Sequence, residues 1–184
     1  MASSSSFPLV ERSSTGNRDR KSVLIIDNTL KDREYYADRL VPEYFLYMAD
    51  RGKTGLECFY AHRIDCVVLE LDLPDVSGFE VLIELVPVAS RPAVPVIILT
   101  RLPNRMITEL AVKNGAQAGL HKSETTPDQL SEAVFKAIVA VPRDYKKESE
   151  AFKFPRTKTE TLITENPAER SSSRVLGDSS SEHQ

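Results

Sequence analysis

Polar residues follow four apolar runs of this sequence, at the points where strands would end. They are the acids Asp27, Glu70 and Asp72, the amide Asn28, the hydroxyl of Thr100 and the ammonium of Lys122. Carboxylates are ligands that Mg²⁺ prefers, whereas an ammonium and a hydroxyl can bind phosphoryl oxygens. These residue types therefore suit a site that holds a divalent cation together with a phosphoryl group.

The elements that would bring these residues together form an alternating pattern along the chain. Apolar runs that predict strands alternate with segments of helical spacing that predict helices. The predicted strands are 22–27, 45–49, 65–71, 94–100 and 118–121, and the predicted helices are 30–40, 55–62, 78–85, 104–114 and 127–139. This order favours an α/β fold, a doubly wound five-stranded parallel sheet with helices on both faces. Functional sites of such sheets lie at the carboxyl ends of the strands, which is where the polar residues fall.

The composition changes at both ends of this pattern. Residues 1–20 are Ser-rich and polar, and we expect a disordered arm there. Residues 21–141 are expected to form the folded domain. Residues 142–184 are polar without sustained periodicity, which predicts a mostly disordered tail, with a short helical start at 144–152. No second folded domain is expected in this tail.

Charge and composition narrow the classes of partner. The 184-residue chain has a net charge of -3, which does not favour nucleic acid or an anionic membrane as a partner. No run is long and apolar enough to span a membrane, and the first residues lack the apolar core of a secretory signal. Cys58 and Cys66 lie in apolar segments and read as buried thiols of a reducing compartment. We therefore expect a cytoplasmic protein.

Four motifs in order resemble the receiver domain of two-component response regulators, over about residues 21–141. They are VLIIDN, LELDLPDVSG, PVIILT and GAQAGLHK, and Pro74 and Gly78 follow Glu70 by four and eight residues, as in that family. The resemblance implies a flavodoxin-like fold with strand order 2-1-3-4-5. It also implies roles for the polar residues. Glu70 takes the phosphoacceptor position, Thr100 and Lys122 the switch and phosphate-contact positions, and Asp27, Asn28 and Asp72 the metal-binding positions.

The sequence departs from that family where the chemistry would occur. The family's acceptor is Asp, whereas Glu70 carries its carboxylate one bond farther out, about 1.5 Å. Phosphoryl transfer depends on in-line geometry and a positioned metal, so this change should suppress it. Asn28 replaces the second acid, so Mg²⁺ binding at Asp27, Asn28 and Asp72 should be weak or absent. Gly119 stands where the family has an aromatic switch residue.

The leading hypothesis is a stand-alone pseudo-receiver, a regulatory module of two-component-type signalling that is not an enzyme and requires no cofactor. We expect Glu70 to pair with Lys122 and to hold the site in a partly activated shape. The resemblance implies a protein partner, such as a kinase or another regulator, bound by the fourth helix, fifth strand and fifth helix. Whether the chain forms a homodimer stays open.

Two other functions compete with this hypothesis. One is a working Mg²⁺-dependent phosphoacceptor that uses Glu70 or Asp72. The other is an unrelated doubly wound nucleotide-binding protein. This last alternative is disfavoured because DNTLKD follows the first strand, without a Gly-rich phosphate-binding turn.

Overall fold

The computed structural model describes residues 20–141 of the chain. The predicted tail, including its helical start, lies outside these residues. So does the predicted arm, except for Arg20. Within them, strands and helices alternate as the sequence predicts. The elements are β1 Ser22–Ile26, α1 Leu30–Leu40, β2 Phe45–Ala49, α2 Gly52–Ala61, β3 Cys66–Leu69, α3 Gly78–Leu85, β4 Val96–Thr100, α4 Arg105–Lys113, β5 Ala118–His121 and α5 Pro127–Ala140.

The five strands form one parallel sheet in the order β2-β1-β3-β4-β5. The register places Ile26 of β1 beside Leu69 of β3, and Leu69 beside Ile98 of β4. The predicted doubly wound, flavodoxin-like fold is therefore confirmed. Because all strands run in one direction, their carboxyl ends meet at one edge of the sheet.

Two apolar clusters cover the two faces of the sheet. Leu24 and Ile26 of β1 belong to the cluster that contains residues of α2 and α3, whereas Val23 and Ile25 belong to the cluster that contains residues of α1 and α5. Successive residues of a strand point to opposite faces of the sheet, so the side chains on both faces of β1 are buried. This explains why the strands read as continuous apolar runs rather than as alternating ones.

The start of α2 differs from the prediction. The helix begins at Gly52 instead of residue 55. The carboxylate of Asp75 accepts hydrogen bonds from the amides of Gly52 and Lys53, at 2.8 and 2.9 Å. This cap comes from a loop distant in sequence, so local residue preferences could not reveal it.

The strands of the sheet centre are shorter than predicted. β3 is Cys66–Leu69 instead of 65–71, and β4 begins at Val96 instead of residue 94. Pro95 precedes β4 and has no amide hydrogen to donate to a neighbouring strand. The bounds of α1, β2, α3 and β5 agree with the prediction, and the other boundaries differ by one residue. In the described part of the chain, no helix has the length and apolar character needed to cross a bilayer.

Candidate functional site

The carboxyl ends of four strands bring the predicted site residues together. Asp27 follows β1, Glu70 follows β3, Thr100 ends β4 and Lys122 follows β5. The Lys122 ammonium lies 2.8 Å from Glu70 Oε2 and 2.5 Å from Asp27 Oδ2, and the Thr100 hydroxyl donates to Glu70 Oε1. The predicted ion pair between Glu70 and Lys122 is therefore present.

The Glu70 carboxylate lies in the interior, with 2% of its side chain exposed. Both of its oxygens accept hydrogen bonds, including one from the amide of the next residue. The donors are Leu71 N at 2.7 Å, Asp72 N at 3.2 Å and the Thr100 hydroxyl to Oε1, and Lys122 Nζ at 2.8 Å and Arg101 N at 3.2 Å to Oε2. Such donors satisfy the hydrogen-bonding capacity of a buried carboxylate and fix its position.

Lys122 lies among three carboxylates. Besides Asp27 and Glu70, its ammonium contacts Asp32 Oδ2 at 2.9 Å, and its side chain is 6% exposed. Burial disfavours the charged ammonium, but the hydrogen bonds to the three acids outweigh burial and raise the pKa of Lys122. Lys122 is therefore a cation at neutral pH, held inside the protein by surrounding anions.

The acids around Lys122 differ in their electrostatics. Burial raises the pKa of Asp27, although Lys122 and the amide of Thr29 donate hydrogen bonds to its carboxylate. Burial acts in the same direction at Asp32, but there hydrogen bonds from Arg101 and Lys122 prevail and lower the pKa. The guanidinium of Arg33 also donates to the backbone carbonyl of Asp27. Arg101 thus supplements Lys122 in balancing the acids, whereas Arg33 contacts only the backbone beside them.

Sequence reasoning missed Asp32 and Arg101. Asp32 lies in the first turn of α1, and Arg101 directly follows Thr100. Two signals could have revealed them. Asp32 is an acid in the first turn of the helix after β1, and Arg101 is a long cation beside the predicted switch position Thr100. Neither signal indicates that the two side chains meet.

The other predicted site residues do not contact Lys122. Asn28 is exposed, and its side-chain oxygen accepts a long hydrogen bond from Thr29, at 3.4 Å. The side chain of Asp72 is also exposed, and its backbone amide donates to Glu70. Neither residue therefore adds a negative charge to the buried group.

Gly119 lies on β5 where α4 approaches the strand closely. A Cβ at this position would lie 2.6 Å from Thr108 Cβ and 3.0 Å from the Thr108 carbonyl oxygen. Such distances are too short for a real side-chain contact. Any side chain at this position therefore requires Thr108 or α4 to shift.

The metal-binding position that the resemblance implies comprises Asp27, Asn28 and Asp72. Across residues 20–141, no group of three or more acidic, His or Cys side chains has an arrangement that could hold a metal ion. The three acids that converge surround the Lys122 ammonium. As arranged, these carboxylates hold the Lys122 ammonium.

Comparison with known proteins agrees with the fold. A CheY-like response regulator receiver domain from Methanospirillum hungatei JF-1 superimposes with a TM-score of 0.59 at 22% identity, over 70% of this chain and 98% of that one. At this identity the likeness shows the fold alone.

Two curated relatives align with parts of the chain. A probable cyclic di-GMP phosphodiesterase from Vibrio cholerae is 28% identical over 106 residues, which is 58% of this chain and 24% of that protein. The probable transcriptional regulatory protein SilR of Salmonella typhimurium is 33% identical over 81 residues, 44% of this chain and 35% of that protein. The alignments thus cover only about a third or less of these relatives.

The family comparison covers most of the folded part of the chain. Residues 23–135 match the model of the response regulator receiver domain, a range that runs from β1 into α5. The order of the strands agrees with that match. The chain belongs to the response regulator receiver domain family.

Proposed function

We propose that this receiver domain is a regulatory module that acts by protein contact and whose uptake of phosphate is lost or strongly weakened. The observation that carries the proposal is the bonding of Glu70. Its carboxylate takes both the Thr100 hydroxyl and the Lys122 ammonium. These are the groups that phosphoryl oxygens would need.

The bonding of Glu70 disfavours its use as a nucleophile. In phosphoryl transfer, a carboxylate oxygen attacks phosphorus while the bond to the leaving oxygen breaks in line. Both oxygens of Glu70 are already held by donors, and the carboxylate sits one carbon farther from the backbone than that of Asp. Transfer to Glu70 would require Lys122 and Thr100 to release it first.

Weak binding of Mg²⁺ is the second part of the proposal. Asn28 carries no charge and is exposed, whereas Asp27 and Glu70 are paired with Lys122. A divalent cation would have to displace an internal ammonium from these acids. Carboxylates supply the charge that Mg²⁺ binding needs, so the loss of one and the pairing of the others weaken the site.

We further propose that Glu70 stands in for a phosphoryl group. It holds Thr100 and Lys122 at the carboxyl edge of the sheet without any covalent change. The imitation is incomplete, because a carboxylate carries one negative charge and a phosphoryl group carries nearly two. The module would therefore rest in a partly activated shape that does not depend on a kinase.

The proposed contact surface is the α4-β5-α5 face, with a signalling protein as its partner. Met106 and Leu110 of α4 are 73% and 51% exposed, and Phe135 and Val139 of α5 are 60% and 64% exposed. Exposed apolar side chains on neighbouring elements are typical of protein interaction sites. A second copy of the chain is an alternative occupant, which would form a homodimer.

Acetyl phosphate with Mg²⁺, followed by intact mass, tests the proposal on four proteins. We expect no acyl phosphate on the native chain, on Glu70→Asp or on Asn28→Asp, because each retains at least one of the two defects. The double variant should gain a phosphoryl group.

The same experiment separates the alternatives. Ready phosphorylation of Glu70→Asp alone would show that Asn28 is unimportant. A mass gain on the native chain that Glu70→Gln or Asp72→Asn abolishes would establish the working phosphoacceptor instead.

A further inference from the structure

Arg101 joins the end of β4 to the start of α1 across the site. Its Nε lies 2.9 Å from Asp32 Oδ2, and its Nη2 lies 2.6 Å from Asp32 Oδ1. The same Oδ2 accepts a hydrogen bond from Lys122 at 2.9 Å. The backbone amide of Arg101 also donates to Glu70. Arg101 therefore touches both the buried acid and the acid nearer the surface.

Exposure of these side chains falls in steps along this chain of contacts. Arg101 is 60% exposed, Asp32 16%, Lys122 6% and Glu70 2%. Each side chain thus lies deeper than the one before it. Arg101 and Asp32 are the outer pair, and Lys122 and Glu70 are the inner pair.

We propose that Arg101 and Asp32 form a clasp that closes the entrance to Lys122 and positions its ammonium on Glu70. By binding Asp32, the Arg101 guanidinium fixes this third carboxylate over Lys122. An incoming molecule must therefore part the clasp before it reaches the ammonium. The inference rests on the proposed function, because it describes how that same site is kept closed.

The clasp is built to open reversibly. An ion pair whose cation is mostly exposed is weakened by salt, since mobile ions screen exposed charges. The inner pairs of Lys122 are buried and are screened much less. Raising the salt concentration should therefore open the outer pair before it affects the inner one.

Methylation of lysine amines by formaldehyde with cyanoborohydride measures access to Lys122 in the full-length protein. The rate at Lys122 is monitored by peptide mass spectrometry, and the exposed Lys136 serves as internal reference. Arg101→Ala should accelerate methylation of Lys122 several-fold relative to Lys136. The matched control is Arg105→Ala, which removes an exposed arginine paired with Glu124 and should leave the ratio unchanged.

Two results would overturn the clasp. One is a Lys122 rate that is the same in Arg101→Ala as in the native chain. The other is a native Lys122 rate that equals that of Lys136, which would mean an open entrance. Added salt supplies a second arm that needs no variant, because it should raise the Lys122 rate itself in the native chain. Phosphorylation of the native chain would instead refute the proposed function, so the two failures are distinct.

Discussion

At the scale of single residues, the site is a buried group of charges that depends on one cation. Asp27, Asp32 and Glu70 come from three different elements and share the Lys122 ammonium. Desolvation makes buried charges costly, so such a group is stable only while each charge keeps its partners. Removal of one partner therefore measures how strongly the group depends on it.

Lys122→Met should destabilise the fold by about 3–5 kcal/mol, because it leaves buried carboxylates without their cation. Urea unfolding measures this free energy. Lys136→Met is the matched control, since Lys136 pairs with Glu132 on the exposed side of α5 and should contribute far less. Equal losses in the two variants would contradict the account of Lys122 as the centre of the group.

Asp32 should make stability depend on pH in acid. Its folded pKa lies below its ordinary value of 3.8 because hydrogen bonds from Arg101 and Lys122 outweigh burial. A lowered pKa contributes stability above the unfolded pKa, and this contribution is lost as pH falls through the folded pKa. The difference in unfolding free energy between the native chain and Asp32→Asn should therefore shrink as the pH falls below 3.8. A difference that is constant with pH would refute this.

Sequence reasoning found some of these residues and not others, for a physical reason. Glu70, Thr100 and Lys122 lie at or directly after strand ends. Parallel strands bring their carboxyl ends to one edge of the sheet, so such residues lie close together whatever the orientation of their side chains. Asp32 and Arg101 meet through a long side chain that reaches from β4 to α1. Nothing in their local sequence specifies that reach, so only the structure reveals the contact.

At the scale of elements, the contact between α4 and β5 decides what position 119 can hold. Thr108 of α4 occupies the space next to Gly119. The glycine therefore allows α4 to pack closely on β5. It also leaves the position without an aromatic switch residue. The sequence showed that the ring was missing, but not that α4 packs so closely against this position.

Gly119→Ala should destabilise the protein by about 1–3 kcal/mol, because the added methyl group overlaps Thr108. The sign of the change is informative. Where a backbone is unstrained and uncrowded, replacing Gly by Ala stabilises a protein through the unfolded state. Denaturant unfolding would contradict the packing account if Gly119→Ala proved neutral or stabilising.

The starts of α5 and α2 also differ in their cause, which is local in sequence for α5 and distant for α2. The capping box of α5, in which the Thr126 and Gln129 side chains bond each other's amides, lies within four consecutive residues. The sequence predicted the start of this helix correctly. The start of α2 depends on Asp75 from another loop, and there the sequence prediction was wrong.

At the scale of the whole molecule, the fold and the family were predictable because their signals are many and in order. Continuous apolar runs alternate with helical segments, and this alternation alone favours a doubly wound parallel sheet. What a receiver fold does is decided by the side chains of its site and not by the fold alone.

Intact mass of the native chain after incubation with acetyl phosphate and Mg²⁺ tests the central claim most directly, with Glu70→Gln as the comparison. We predict no phosphoryl adduct on either protein, because Thr100 and Lys122 are already bound to Glu70 in the native chain. A phosphoryl adduct on the native chain that is absent from Glu70→Gln would contradict the account.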